Sequence, residues 1–333
     1  MLTTVAAGRV FNYSYCIGMY GMSGLGFWSP MDFAIGPSGV IYVTNRGDAE
    51  GLGQRVSKCT VDHQFLGQFG GFGSGDGQFI WPASIDLDRD ENVYVSDENL
   101  HQICVFDKEG KYLGKWGSQG SGDGDLNGPS GMVFDREDNL YVVDANNNRI
   151  QKFTRDGNLL AKWGRHGSGD GEFHTPWGIC LDSAGDVYVA DWKNSRVQKF
   201  SPDGEFLASF GATDNGVGRI DRPTGVAVDS EGDVYVTDWS NHRVQVYAPD
   251  GTFITSLVGD AQQPSPWTEE YINANPDILK ARRRVNLEPE WRFRRPIAVN
   301  MDADGRIFVL ESARHRLQVY AKEKDFQDAD LNL

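Results

Sequence analysis

Cysteine is scarce: four residues in a chain of 333. Cys16, Cys59, Cys104 and Cys180 show no Cys-x-x-Cys spacing and fall in different strand-like runs. That excludes a disulfide framework and a cysteine-built zinc module, and it fits small apolar residues kept reduced. Long apolar runs are missing too, so no stretch reads as a membrane span. The opening MLTTVAAGRVFNYSY has no apolar core before a cleavage site, which argues against a signal peptide. These absences predict a cytoplasmic protein with no membrane partner. Basic residues are few, 32 against 47 acidic ones, and the net charge is -15. Such an acidic surface argues against nucleic acid as a partner.

Helical periodicity is also missing from most of the chain. In its place is a repeat. Asp97, Asp144, Asp191 and Asp238 are each 47 residues apart, as are Pro82, Pro129, Pro176 and Pro223. Each unit holds four short runs rich in Val, Tyr, Phe and Thr, separated by Asp-Gly, Pro-Asp-Gly or Asn turns. One unit reads Gly225–Asp229, Asp233–Asp238, Arg243–Tyr247 and Thr252–Val258. Four short strands at such a period make one propeller blade.

The anchor proline before each inner strand occurs six times, at Pro30, Pro82, Pro129, Pro176, Pro223 and Pro296. The expected fold is therefore all-β, a six-bladed β-propeller filling residues 1–333 as a single domain. Two insertions interrupt the register, one within Asn45–Arg55 and one between Val258 and Arg295. The last repeat lacks an outer strand. Phe11–Ile17 has the right register to supply it, which closes the ring and removes an open edge.

The strings Pro-x-Gly-(Val/Ile)-x-x-Asp, Val-Tyr-Val-x-Asp and Asn-x-Arg-Val-Gln resemble NHL repeats over nearly the whole chain. The resemblance implies a propeller. It leaves function open, because the family includes protein-binding and RNA-binding modules, sensors and the peptidyl-hydroxyglycine amidating lyase propeller.

What recurs belongs to the scaffold. Asp144 with Arg149, Asp191 with Arg196, and Asp238 with Arg243 are expected to stitch the turn between strands two and three. Asn147, Asn194 and Asn241 belong to the same turns. The Gly-Ser-Gly-Asp-Gly loops Gly73–Gly77, Gly120–Gly124 and Gly167–Gly171 read as glycine-rich crossings between blades, with a calcium or phosphate loop as the alternative.

What breaks the repeat is more informative, and it falls on one face of the ring. Blade one reads Asn45-Arg46-Gly47-Asp48-Ala49-Glu50. This is similar to the Arg-Gly-Asp stretch of the amidating lyase, which implies a catalytic arginine at Arg46, suited to a carboxylate or an oxyanion. The plainer reading is a longer turn held by Arg46 and Asp48. Blade two substitutes Glu98, Asn99, Leu100, His101 and Gln102 for the usual turn. His242 and His315 share the register of His101, which raises a metal reading against one of solvated turn histidines. The lyase's zinc histidines follow the anchor proline, and the matching positions here are Met31, Ala83, Ser130, Trp177, Thr224 and Ile297. None offers imidazole, so peptide amidation is not expected.

The insertion Gly259–Arg295 carries the clear helical signal. A helix is expected from Asn275-Pro276 to about Val285, with another turn at Trp267. It concentrates Lys280, Arg282, Arg283, Arg284, Arg292, Arg294 and Arg295. The expectation is a lid over the channel mouth that guards an anionic ligand; the alternative is a helix whose arginines pair with acidic turns. Trp177, Trp192 and Trp239 fall at the expected rim, either as interblade packing or as a surface around a ligand.

Two functional classes follow. One is a module that binds a small molecule, peptide or protein at the channel mouth through Asp32, Asp48, Asp97, Trp177, Trp192, Trp239, Arg282, Arg283 and Glu311. The other is a lyase or hydrolase with a central pocket beneath the lid, with Arg46, Glu98 and His101 as its catalytic candidates. A divalent cation such as calcium is admitted by the oxygen-bearing residues Asp32, Asp97, Glu98, Asn99 and Glu311, although no spacing singles it out.

Overall fold

The dipeptide chemistry of the repeat dictates where each strand stops. In the computed structural model, which describes residues 3–211 and 216–323, six antiparallel sheets stand in a ring. Blade four is representative: Pro176–Leu181, Val187–Asp191, Arg196–Phe200 and Phe206–Phe210, paired in sequence order. Each innermost strand packs beside that of the next blade. Pro296–Met301 packs back on Pro30–Ile35 and completes the circle.

Burial follows the radial order of the strands. The second strand of each blade is covered on both faces, as in Val187–Asp191. The outer strands alternate between half-buried and exposed, as in Leu159–Trp163. The core is a set of layers between blades. In one of them Tyr141, Val143, Ile150 and Phe173 of one side meet Val187, Val189 and Phe200 of the other. Burying β-branched and aromatic side chains on both faces of a sheet is the main force holding blade to blade. Cys16, Cys59 and Cys104 are buried within this packing, and all four cysteines are free thiols.

Closure uses the N-terminal segment, as expected, with one addition. The fourth strand of blade six is Arg9–Ile17, which pairs antiparallel with Arg316–Glu323. A fifth strand, Thr3–Ala6, folds back on it. Ala7 and Gly8 make this hairpin, both with positive φ (50° and 75°), the backbone that a tight two-residue hairpin turn needs. The closing blade is also pinned to blade five. Arg9 donates to Asp233, and the Lys322 ammonium sits among Asp229, Glu231 and Asp233 at 2.7, 2.6 and 2.7 Å.

The turn network works as the repeat implies, and it reaches further. Asp144 is fully buried and accepts from the Asn127 amide, the Asn147 amide group and Arg149 Nε at 2.7 Å. Arg149 then donates to the carbonyls of Ser121, Gly122 and Asp125. Arg196 treats Gly169 and Glu172 the same way. Two of the three glycine-rich crossings, Gly120–Gly124 and Gly167–Gly171, are thus held by an arginine cation, whose donors occupy carbonyls that a calcium loop would need. Blade six performs the same job with Glu311, Arg316 and the carbonyl of Glu290.

Three expectations about the insertion need correction. It forms α1 (Pro266–Asn273), α2 (Pro276–Arg282) and α3 (Glu288–Trp291). First, α2 stops short of Val285. Second, Asn275 does not cap it; its side-chain amide donates to Tyr271 O, while Ser265 caps α1 through the Thr268 amide. Third, the insertion leans outward against blades six and one instead of roofing the axis. Trp267 is the reason: it is buried against Phe27 and donates to the His63 carbonyl, and Ser265 donates to Gly18 O. No helix is long and apolar enough to cross a membrane among the described residues.

Because Asp191 is wholly buried and Arg196 nearly so, Arg196→Met leaves an unpaired buried carboxylate and frees two loop carbonyls. Breaking such a pair costs about 3 kcal/mol. Urea melts of Arg196→Met should show this loss, while Arg165→Met, at an exposed pair, should stay near wild type.

Candidate functional site at the channel mouth

The inner strands leave a channel too narrow for a ligand. Its interior holds about 40 Å3, between residues such as Asp32, Ser84, Met132 and Val226. Where the strand two–three turns gather, the channel opens into a cavity of about 460 Å3. Its walls are Trp177, Trp192, Trp239, Met31, Ile297 and Thr224, with Arg295, His315, Ser29, Ser312 and Ala313 at the rim.

Local rules place each of these side chains. Trp177 follows the anchor proline of blade four, at the start of an innermost strand. Trp192 and Trp239 open the short 3-10 turns after Asp191 and Asp238, so the buried carboxylates behind them fix their position. Arg222 and Arg295 stand immediately before their anchor prolines, both with φ near +54°. From there Arg222 lies over the Trp192 ring at 5.4 Å and Arg295 over Trp239 at 5.0 Å. Lys193 also approaches Trp192, at 5.9 Å. A cation over an indole face holds the ring's orientation and keeps its charge turned to solvent. The mouth is thus apolar in its depth and cationic at its edge.

Of the sequence candidates, Trp177, Trp192 and Trp239 come together here. Asp32 lies deeper, where it accepts from Ser84 Oγ at 2.5 Å and from the Ile85 amide. Burial pushes its carboxyl up to about 6, against the pull of those donors. Asp86, further along the inner strand of blade two, is pushed up to about 7 by burial, with a smaller contribution from Asp32.

The other candidates serve the scaffold or lie elsewhere. Asp97 accepts from the amides of Ile80, Trp81, Asn99 and Leu100. Glu311 accepts from Arg316, Gln318 and the Arg294 amide. Asp48 closes its own turn on the amides of Glu50 and Leu52. All three hold turns, in blades two, six and one respectively. Arg283 is exposed. Arg282 pairs with Glu290 at 2.6 Å beside a different cavity.

Arg46 and Glu98 do meet, at 2.7 Å, and the guanidinium rests over Trp81 at 5.8 Å. The pair fastens the long turn of blade one to blade two. His101 accepts the Gly128 amide through Nδ1, and His242 accepts the Arg295 amide in the same way. Both sit in left-handed backbone at the turn's end and brace the following blade, so the three histidines do not converge on the axis. His315 differs: its Nδ1 is buried without a partner among the described residues, and its ring lies 5.1 Å from Tyr20. Sequence reasoning missed Arg222 and its stacking role. The signal was present, since Arg222 and Arg295 occupy one register, directly before the anchor proline.

Fold and mouth together define a six-bladed β-propeller with an aromatic, cation-edged site at one end of its channel. Within that class, three stretches of the chain carry NHL repeats. The NHL repeat family model matches residues 126–153, 173–200 and 221–247. NHL repeat-containing protein 3 of Homo sapiens is 35% identical over 85 residues, 26% of this chain and 24% of that protein. Its Mus musculus counterpart is 33% identical over 89 residues, 27% of this chain and 25% of that protein. The match therefore spans about a quarter of these relatives' length. Among solved structures, a protein of unknown function from Bacteroides thetaiotaomicron superposes with a TM-score of 0.62 at 19% identity, over 95% of this chain and 76% of that one. A catalytically inactive virginiamycin B lyase from Staphylococcus aureus with quinupristin superposes at 0.57 and 13% identity, over 93% and 99%. At such identities the likeness is one of fold alone.

The raised carboxyls give a pH signature. Unfolded, Asp86 ionises near 3.8; folded, it keeps its proton to about 7. Folding takes up protons between those values, so this contribution is complete below the lower one and is lost as pH rises through the upper. Asp86→Asn retains an acceptor for the Phe134 amide and cannot ionise. Its melting temperature should fall less than that of wild type between about pH 5 and pH 8, by several degrees, as differential scanning calorimetry would show.

Proposed function

We propose that this propeller is a binding module whose channel mouth takes an acidic peptide segment, from a free peptide or a protein partner, with an apolar side chain inserted between the tryptophans. The observation that carries this reading is the pairing of Trp192 with Arg222 and of Trp239 with Arg295 around one cavity. Tryptophan and arginine are the side chains that most often dominate binding energy at interfaces. Here the ring is already oriented by the cation, so little freedom is lost when a ligand arrives. The cations stand out on a chain of net charge -15, where they mark the face on which a carboxylate would be steered.

The enzyme reading has less support from the geometry. Arg46 is committed to Glu98, and His101 gives its Nδ1 to the backbone. A general acid or base must reach a substrate proton, and these groups are engaged in holding turns.

Selection of a random phage-displayed peptide library on the purified protein tests the proposal. Peptides with Asp or Glu next to an aromatic or aliphatic residue should be enriched. Enrichment should collapse with Trp239→Ala and with Arg295→Glu, the latter at an exposed site that leaves the core untouched. Selection of basic peptides, or equal enrichment by both variants, would overturn it.

A further inference from the structure

The insertion encloses a second cavity, separate from the mouth. It holds about 500 Å3 and shares no lining residue with the mouth. His315 and Tyr20, in ring contact at 5.1 Å, stand between the two: the first lines the mouth and the second this cavity. The apolar wall is Met19, Tyr20, Pro264, Ala261, Tyr271 and Trp291. Three arginines face it: Arg282, Arg314 and Arg316.

The charges of these arginines are not balanced equally. Arg282 is neutralised by Glu290 at 2.6 Å. Arg316 is neutralised by Glu311 at 2.6 Å and donates also to the Glu290 carbonyl. Arg314 has no carboxylate within salt-bridge distance among the described residues. Its Nη2 donates to the Pro289 carbonyl at 2.6 Å, and its Nε is buried without a partner. Burial, then the neighbouring Arg316 charge, hold its guanidinium below the ordinary arginine range. A cation kept partly from water with unused donors is costly, and a buried polar group left unpaired in a native fold calls for an explanation. An anion that accepts from Arg314 supplies one.

We infer that the cavity between the insertion and blade six is a binding site for a small organic carboxylate. Its anion pairs with Arg314, and its apolar body lies against Tyr20, Tyr271 and Trp291. The planar guanidinium suits a carboxylate better than a point cation would. A cavity of this size, apolar with one convergent charge, is of the kind that holds small ligands. This site does not depend on the reading of the mouth.

The probe is 4-phenylbutyrate, compared with the uncharged 4-phenylbutyramide, by isothermal titration calorimetry on the full chain. The carboxylate should bind at least about tenfold more tightly than the amide, as expected for a hydrogen-bonded charge. Arg314→Met should remove that preference, and Arg314→Lys should restore part of it. Should Arg314→Met fail to fold, Gln262→Trp serves instead: Gln262 is an exposed lining residue, and the larger ring fills the cavity and should abolish binding. Trp239→Ala, at the mouth, should bind the probe like wild type. Equal affinity for acid and amide, full binding by Gln262→Trp, or loss of binding with Trp239→Ala would each overturn the inference, and so would no binding at millimolar probe.

Discussion

Everything in this ring depends on a buried acid in the turn between the second and third strands of a blade. The carboxylate is desolvated at a cost that only several donors can offset. Asp144, Asp191 and Asp238 receive those donors from three directions: an arginine five residues on, an asparagine in the same turn, and a backbone amide of the crossing that precedes the blade. The arginine then grips the crossing's carbonyls. One ion pair thereby joins two blades, and it also orients the turn that forms the mouth. The tryptophans of the site are presented by the same hydrogen bonds that hold the scaffold.

The two blades that break this rule do so in opposite ways. Blade one keeps the arginine, Arg55, but has Asn45 in place of the acid. Arg55 is then held by the carbonyls of Gly21, Met22, Gly26 and Gly53, and burial without a carboxylate brings its guanidinium down to about 10. Blade two keeps the acid, Asp97, but has Gln102 where the arginine belongs, and four backbone amides take over. A separate, partly buried pair, Arg46 with Glu98, joins these two blades. A departure from the repeat that looked like chemistry in the sequence is, in the fold, a rearranged joint.

The strands, blade count and closure were legible because each follows from a local rule read in register: proline, then alternation, then a turn residue. The rim tryptophans were legible for the same reason. Side-chain commitments were not. Nothing in the spacing of Asp97 or Glu311 reveals that backbone amides hold the first and mainly side chains the second, and nothing in the run Arg282–Arg284 separates the paired Arg282 from the exposed Arg283. The placement of the insertion was hidden as well. It turns on Trp267 finding Phe27 and the His63 carbonyl, the nearer of them 204 residues away along the chain. Composition identified its basic character, while long-range packing decided where that charge lies.

The way the two ends meet also has a mechanical consequence. Arg9–Ile17 runs antiparallel to Arg316–Glu323, so Val10 faces Glu323 and Ile17 faces Leu317. Val10 and Glu323 therefore lie at the same end of the pair, beside the hairpin that joins Arg9–Ile17 to Thr3–Ala6. Once Thr3–Ala6 has been drawn off, tension between the ends loads the hydrogen bonds of this seam one after another, like a zip, and not all together in shear. The Lys322 and Arg9 clamps sit at the position where such peeling would begin. They are placed to resist the opening of the ring by pulling, independently of whatever they add to its equilibrium stability.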